Sequence, residues 1–305
     1  MRGWTVVLST IAGMAMIGAP AVASAAPAQP DLRGYNAVAP EDYFAGGGVG
    51  LYFQTPDGLT CGILPGRGSV GCDGAIPGLP VSATEVVLTA DGDARGFHQT
   101  SNLQYVPPGG DTPKVLPVGH KIAYLDFECA VGTGSVTTCM KGSPPAHWFV
   151  LSQEGSAIGP RTEGLPDNFP DPNDFVVGPQ DYIVGTGAKN LFPVFTVGDG
   201  LTCKIALFSG GEIGCDGELP GVTDGANEIF VQLPGDTGIR TTENPKYSTP
   251  QYPGPVLQLP AHHRVSKMGG TCMATAEGGV ACFGKVMDTA EGFVASPAGT
   301  WTFGG

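Results

Sequence analysis

The sequence predicts an all-β protein made of two tandem, homologous units, each a small disulfide-stapled domain that is sandwich or barrel-like and contains little helix. Three observations predict this fold class. Glycine and proline are abundant, with 49 and 28 of the 305 residues. The eight cysteines fall into four closely spaced pairs, and the cysteine pattern of the first half of the chain recurs in the second half. Such a chain favours short strands that are joined by tight turns.

Long helices are excluded by the spacing of glycine and proline. Beyond Ala25, the longest stretch that lacks both runs only from His120 to Val131. Inside a helix, glycine costs about 1 kcal/mol and proline about 3 kcal/mol. Runs of aromatic and β-branched residues between turn formers predict strands instead. These runs are residues 50–55, 84–89, 120–128, 146–152, 191–197 and 227–233.

The N-terminal segment 1–25 has the pattern of a secretory signal peptide. Arg2 precedes an apolar run, which ends in the small residues 23–25. This pattern predicts export and cleavage before Ala26. The apolar run is too short for a transmembrane segment, so we expect no membrane insertion after cleavage. The predicted location is the extracellular space or the cell envelope.

The charge balance bears on the partners. Cleavage would remove one basic residue and leave 14 Lys and Arg against 28 Asp and Glu, a net charge of −14. This charge repels nucleic-acid phosphates and anionic lipid head groups. No basic stripe with interleaved aromatic residues is present in the sequence. We therefore expect no nucleic-acid partner, and we assign the charge to solubility.

The repeat divides the chain into two units. Three of the four cysteines in the first half recur at one constant offset, the fourth recurs at an offset shorter by one position, and the motif PEDYF at 40–44 matches PQDYI at 179–183. A repeat of this length is a domain, not a solenoid unit. The predicted boundaries are an N-terminal extension at 26–39, unit 1 at 40–160, a Pro- and Asp-rich, semi-extended linker at 161–178, and unit 2 at 179–305.

Each unit contains two cysteine pairs that enclose glycines. The spacing predicts β-hairpins with a glycine turn, in which the two cysteines lie opposite each other. Four cysteines allow three connectivities per unit, and we favour the nearest pairs because all four hairpins share the arrangement. Each disulfide would contribute about 3 kcal/mol to the free energy of unfolding. Zinc binding is disfavoured because no C-x2-C spacing occurs. The predicted bridges are Cys61–Cys72, Cys129–Cys139, Cys203–Cys215 and Cys272–Cys282.

Asp-Gly pairs flank the cysteine hairpins. Their aspartates can hydrogen-bond their own backbone and their glycines can adopt positive φ, so we predict turns and a structural role for Asp73 and Asp216. The alternative is calcium binding by clustered carboxylates. No twelve-residue calcium loop is present, either here or in DGDARG (91–96) or DPNDF (171–175). The four pairs are Asp57-Gly58, Asp73-Gly74, Asp199-Gly200 and Asp216-Gly217.

Several motifs resemble a group of exported actinobacterial proteins and domains of unknown function. The first unit contains FQTPDGLTC, GSVGCDG, FECAVGTGSVTTC and HWFVLS, and the second contains FTVGDGLTC, GEIGCDG, GGVAC and GFVAS. The pattern of the group is approximately F-x-[ST]-P-x-G-x-x-C, V-x-C, G-V-T-C and G-F-x-x-S. The chain departs from it at Val197-Gly198 and at AHW (146–148), where a glycine-led motif is usual. The resemblance implies secretion and a disulfide-stapled β-domain, and it implies no activity.

The sequence identifies no catalytic, cofactor-binding or metal-binding residue. Of the five histidines, only His120 and His263 are matched between the units, and a surface histidine beside a strand is unremarkable. No hydrolase, metalloprotease or nucleotide-binding motif occurs. We therefore predict a secreted or envelope-associated, non-catalytic module that binds an envelope polymer, a protein or a small ligand. The alternative is a secreted hydrolase with an unrecognised site around His120, His263 and nearby carboxylates.

Overall fold

The chain folds almost entirely into short strands. Within the described residues, all helices are 3-10 helices of at most four residues. The prediction of an all-β fold with little helix is confirmed. The 3-10 helices span Pro40–Tyr43, Gly46–Gly48, Pro65–Arg67, Thr133–Ser135 and Pro172–Asp174. The computed structural model describes residues 28–48, 50–89, 95–142, 144–184, 192–198, 200–207, 211–248, 255–286 and 289–304.

Unit 1 is built from two sheets. The first sheet has the strand order β2-β3-β4-β5-β6-β7, and the second has the order β1-β8-β9-β10-β11-β12, in which β1 from the N-terminal extension runs parallel to β8. The strands are β1 (Asn36–Ala37), β2 (Phe44–Ala45), β3 (Gly50–Gln54), β4 (Thr60–Leu64), β5 (Ser69–Asp73), β6 (Glu85–Leu88), β7 (Gly96–His98), β8 (His120–Tyr124), β9 (Phe127–Val131), β10 (Thr137–Lys141), β11 (His147–Leu151) and β12 (Ala157–Gly159).

Unit 2 has the same order of strands. Its first sheet is β14-β15-β16-β17-β18-β19, with β20 beside β15, and its second is β13-β21-β22-β23-β24-β25. The strands are β13 (Val176–Val177), β14 (Ile183–Val184), β15 (Phe192–Val197), β16 (Leu201–Ala206), β17 (Glu212–Asp216), β18 (Glu228–Gln232), β19 (Asp236–Arg240), β20 (Leu257–Gln258), β21 (His263–Lys267), β22 (Gly270–Ala274), β23 (Val280–Val286), β24 (Thr289–Ser296) and β25 (Gly299–Phe303).

The two sheets of each unit pack face to face as an open sandwich. In unit 1, Phe53 and Val86 of the first sheet share one buried core with Ile122 and Phe149 of the second sheet. Unit 2 has a corresponding core between its two sheets. Alternating side chains of a strand point to opposite faces, so one face of each sheet fills the core. The sandwich is therefore the form that the predicted units take.

The cystines lie inside these cores. Each pair occupies directly opposed positions on neighbouring antiparallel strands, and all eight cysteines are fully buried. The predicted pairing follows from hairpin geometry, because a hairpin places residues on either side of its turn in register. The four disulfides are Cys61–Cys72, Cys129–Cys139, Cys203–Cys215 and Cys272–Cys282.

The predicted strand at 120–128 is wrong in its extent. The chain turns at Leu125 and Asp126 and forms the separate strands β8 and β9. Leu125 adopts φ +56° and is 72% exposed. Leucine rarely adopts this left-handed conformation, and no glycine or proline marks the turn. Leu125 therefore gives no signal of the turn, and Asp126 is the one residue in it whose type favours a turn.

The segment 161–178 is not a semi-extended linker. Its strand β13 runs parallel to β7 of unit 1 on one side and to β21 of unit 2 on the other. The first sheet of unit 1 thus continues into the second sheet of unit 2 as one 12-stranded sheet. Val176 is 1% exposed and belongs to the core of unit 1. The expectation of two units that are separate apart from a linker is therefore wrong, and we call residues 161–178 the joining segment.

The rest of the joining segment packs on unit 2. Leu165, Phe169 and Phe175 are buried against the outer face of its second sheet. Leu32 of the N-terminal extension covers the outer face of the second sheet of unit 1 in the same manner. Each unit therefore has its second sheet covered by the segment that precedes it.

A side chain of unit 2 also crosses to unit 1. The Arg264 guanidinium on β21 donates a hydrogen bond to the backbone carbonyl of Arg95, just before β7. It passes over Gly96, where φ is +153° and any Cβ would overlap the guanidinium. Only glycine satisfies both conditions, so Gly96 permits the close approach of the two units.

Replacement of Val176 tests the role of β13. Val176→Ala should lower the free energy of unfolding by about 2 kcal/mol, because it removes methyl groups that fill the core of unit 1. Val177→Ala is the matched control, since its half-exposed side chain lies on the same strand, and we expect a loss of less than about 1 kcal/mol. Urea denaturation measures both, and equal losses would contradict the assignment of Val176 to the core.

Candidate functional site at the junction of the units

The two matched histidines occupy equivalent places in their units. The ring Nδ1 atoms of His120 and His263 lie 3.1 and 3.0 Å from the carbonyl oxygens of Val118 and Ala261, two residues earlier in each case. His263 is only 8% exposed, so the expectation of a surface histidine is wrong there. Neither ring forms a hydrogen bond with a carboxylate among the described residues. The two histidines belong to different units, and the structure does not bring them into one site.

Asp73 and Asp216 have a different structural role from the predicted one. Both are buried, and an Oδ2 atom of each accepts a hydrogen bond from a distant backbone N–H, that of Tyr105 at 2.5 Å and that of Tyr247. The partner of Asp73 is 32 residues away. The prediction that these aspartates bond their own backbone is therefore wrong. They hold the following loop against the first sheet of their unit.

The other Asp-Gly pairs are in part outside the described residues. Asp57 accepts a hydrogen bond from the hydroxyl of Thr55 at 2.5 Å, and Gly58 has φ +96°, as a turn requires. Asp199 lies outside the described residues, as do positions 91–94 of the DGDARG motif. In DPNDF, the Asp171 side chain caps the 3-10 helix that follows it. The described residues contain no cluster of three or more His, Cys, Asp or Glu that could hold a metal ion.

Each buried aspartate faces a buried glutamate across the strands. Asp73 is paired in register with Glu85, and Asp216 with Glu228. We call these the carboxyl pairs. In unit 2, Arg240 forms an ion pair with Glu228. In unit 1, the amide of Gln104 donates to Glu85 Oε1 at 3.3 Å.

The carboxyl pair of unit 1 retains a proton near neutral pH. Burial, together with the adjacent Asp73 carboxylate, raises the pKa of Glu85 to about 7. In unit 2, burial raises the pKa of Glu228 while Arg240 acts in the opposite direction. The folded state therefore binds more protons than the unfolded state in the range between the ordinary pKa of Glu85, 4.5, and about 7. Its stability falls as pH rises through this range.

Replacement of the buried glutamate by glutamine should change the melting temperature at pH 8 in opposite directions in the two units. Glu85→Gln should raise the melting temperature more at pH 8 than at pH 4.5, because glutamine avoids the ionisation of a buried carboxyl beside Asp73. Glu228→Gln is the matched control and should lower the melting temperature at pH 8, because Arg240 loses its partner. Thermal melts at both pH values measure the effects. Identical pH profiles for the two variants would contradict this account.

A cleft opens where unit 1, the joining segment and unit 2 meet. Its volume is about 770 Å³, and its lining includes Arg95 and His147 of unit 1, Arg161 and Glu163 of the joining segment, and Lys285 of unit 2. We call it the junction cleft. It exists because β13 aligns the two units and because the joining segment folds back on unit 2.

A smaller cavity adjoins the junction cleft. Its volume is about 190 Å³, and it shares Arg95 and Lys285 with the cleft. Arg264, Thr271 and Phe283 of unit 2 line its other walls. The two cavities together form a recess whose shared edge carries two cationic side chains.

Arg95 and His147 are in direct contact at the wall of unit 1. Arg95 Nη1 lies 2.7 Å from His147 Nδ1. Because a guanidinium only donates, the histidine nitrogen accepts and the ring is neutral in this arrangement. Burial lowers the pKa of His147, the charges of Arg95 and Lys141 lower it further, and the charge of Glu163 opposes them. Burial also lowers the pKa of Arg95.

Backbone carbonyl groups position the other two cations. Arg161 Nη2 donates to the carbonyls of Pro166 at 2.9 Å and Phe169 at 2.5 Å. Lys285 Nζ donates to the carbonyl of Glu163 at 2.7 Å. These acceptors are neutral, so the hydrogen bonds position the two side chains without forming an ion pair.

Carboxylates are few around these cations. Among the described residues, Arg95, Arg161 and Lys285 form no ion pair within 4.0 Å. Glu163 lines the cleft, and the Asp171 carboxylate is engaged in hydrogen bonds within the joining segment. The cleft therefore presents N–H donors and positive charge.

Sequence patterns did not reveal this site. Its lining residues come from five separate segments of the chain, and no spacing connects them. Arg95 lies in DGDARG, a motif whose carboxylates suggest only the calcium alternative, and His147 lies where the motif pattern departs from a leading glycine. That departure was the one local signal of an unusual position.

Comparison with known protein families, curated proteins and solved structures finds no match to this chain. The resemblance to exported actinobacterial proteins therefore stays a prediction. The four disulfide-bonded pairs agree with its repeated cysteine pattern. No helix in the described part of the chain is long and apolar enough to cross a membrane.

Proposed function

We propose that this protein is an exported, non-catalytic binding module that holds a ligand in the junction cleft, in the extracellular space or at the cell envelope. The segment 1–25, with the pattern of a signal peptide, supports export. Four disulfides suit an oxidising compartment. The resemblance to exported actinobacterial proteins points in the same direction.

The observation that carries this proposal is the composition of the junction cleft. Its walls come from both units and from the joining segment, so a bound ligand would contact all three. Its volume of about 770 Å³ lies within the range of small-molecule sites, about 300 to 1,000 Å³. The continuous sheet aligns the walls before a ligand arrives, which reduces the entropic cost of binding.

The hydrolase alternative receives no support from the predicted histidines. It requires a histidine that is oriented by a carboxylate and placed beside a nucleophile or water. At His120 and His263 the ring contacts a backbone carbonyl instead. We therefore base the proposal on binding, with an envelope polymer or protein that carries the bound group as the partner.

Obstruction of the cleft tests this function. Ala146 is exposed and lines the junction cleft, so Ala146→Trp should fill part of it without disturbing the core. The mature protein is immobilised, incubated with a fractionated cell envelope and washed, and the retained material is quantified. We expect the wild type to retain an envelope component and the Ala146→Trp variant to retain at least about tenfold less, because a ligand-sized site is then occupied.

Ala75→Trp is the control for the added aromatic surface. Ala75 is an exposed residue of unit 1 outside the cleft, so this variant should retain the component as well as the wild type does. Equal retention by all three proteins would place binding elsewhere and would refute the proposed site. Unchanged melting temperatures confirm that both variants are folded.

A further inference from the structure

The junction cleft gathers positive charge in a strongly acidic protein. The chain has a net charge of −13 and only 15 Lys and Arg residues, yet three of these line one cleft. We infer that the junction cleft binds a multiply charged oxyanion, either a polycarboxylate or a phosphate. This inference rests on the proposed function, since it names the chemical class of the ligand held in the same cleft.

The charges of the cleft are available to a ligand. Arg95, Arg161 and Lys285 have hydrogen bonds to a neutral ring or to backbone carbonyls, and no carboxylate lies within 4.0 Å of them among the described residues. By contrast, the exposed Lys114 is paired with Asp42 at 2.8 Å. Asp171 favours the charged form of Arg95 from beyond ion-pair distance. Like charges repel, so an anion that enters the cleft would relieve the repulsion among the three cations.

The types of donor favour oxyanions. A guanidinium presents N–H groups in a planar fork that matches the oxygens of a carboxylate or a phosphate. Arg95 is half-buried, and charge-assisted hydrogen bonds are stronger where water is excluded. Lys285 of unit 2 adds a compact ammonium. Donors that come from unit 1, the joining segment and unit 2 suit an anion with charged groups at more than one point.

Glu163 opposes the binding of an anion. It is the one carboxylate among the described residues that line the junction cleft. Its removal should therefore strengthen the binding of an anion, whereas removal of a cation should weaken it. A site for a neutral or cationic ligand would not show this pair of opposite effects.

Isothermal titration calorimetry on the full mature protein tests the inference. The probes are citrate, inorganic phosphate and uncharged glycerol, at constant ionic strength in a buffer without polyvalent anions. We expect saturable binding at one site for citrate, for phosphate or for both, and none for glycerol. The first two arms distinguish a carboxylate site from a phosphate site.

Four variants, each of which removes one charge, locate the site. Lys285→Gln should weaken binding of the anion by about threefold to fivefold, as expected for an exposed charge at short range. Glu163→Gln should strengthen it by a similar factor. Lys114→Gln removes the same charge from unit 1 outside the cleft and should leave the affinity unchanged. Arg95→Gln should weaken binding by at least about tenfold, because it removes a half-buried charged donor.

The outcomes separate this inference from the proposed function. Absence of binding by both anions, or equal weakening by Lys285→Gln and Lys114→Gln, overturns the anion site. If no anion binds while Ala146→Trp still abolishes retention of the envelope component, the binding function holds and its ligand has another chemistry. If an anion binds in the cleft while Ala146→Trp retains the component, the anion site is real and the proposed function fails. If Arg95→Gln does not fold, the opposite changes in anion affinity caused by Lys285→Gln and Glu163→Gln still test whether the anion binds in the cleft.

Discussion

The relation between the two units depends on the short strand β13. Its backbone pairs with β7 on one edge and with β21 on the other, while the side chain of Val176 enters the core of unit 1. A flexible linker would allow the units to vary their separation. A strand inside a continuous sheet fixes that separation, because its hydrogen bonds set the spacing of its neighbours. The junction cleft is therefore a property of the sheet, which brings charged side chains of both units to one cleft before a ligand binds.

The chain has two similar units but only one junction. Both units share strand order, cystine hairpins and carboxyl pairs, so these features serve the stability of each unit. They differ at the partner of the glutamate, which is Arg240 in unit 2 and the amide of Gln104 in unit 1. As a result, Glu85 of unit 1 holds its proton near neutral pH, whereas Glu228 of unit 2 forms an ion pair with Arg240. Features that repeat thus explain folding, whereas the cleft arises where the repeat is interrupted by the joining segment.

The features that could be predicted from the sequence are local ones. The cystines and most strands follow from short spacings along the chain, since a hairpin brings its two arms into register. The turn at Leu125 could not be predicted, because leucine does not favour the conformation that this residue adopts. The hydrogen bond from the Tyr105 backbone N–H to Asp73 could not be predicted, because the partners are 32 residues apart. Prediction of the cleft would require the path of the joining segment. Its Pro- and Asp-rich composition does not distinguish a strand between two sheets from a flexible linker.

The position of the cations is the feature that stability alone does not explain. An acidic protein has carboxylates in excess, and the nearest means of stabilising Arg95 or Lys285 is an adjacent carboxylate, as Lys114 has in Asp42. In the junction cleft the cations are held by backbone carbonyls and by a neutral histidine instead. Burial disfavours the charge of Arg95 and lowers its pKa. Local departures of this kind concentrate at functional sites, where the missing partner is supplied by a ligand. The same reasoning does not extend to the buried carboxyl pairs, because they repeat in both units and have partners within their own unit. The aspartates bind backbone N–H groups, and the glutamates contact Gln104 and Arg240.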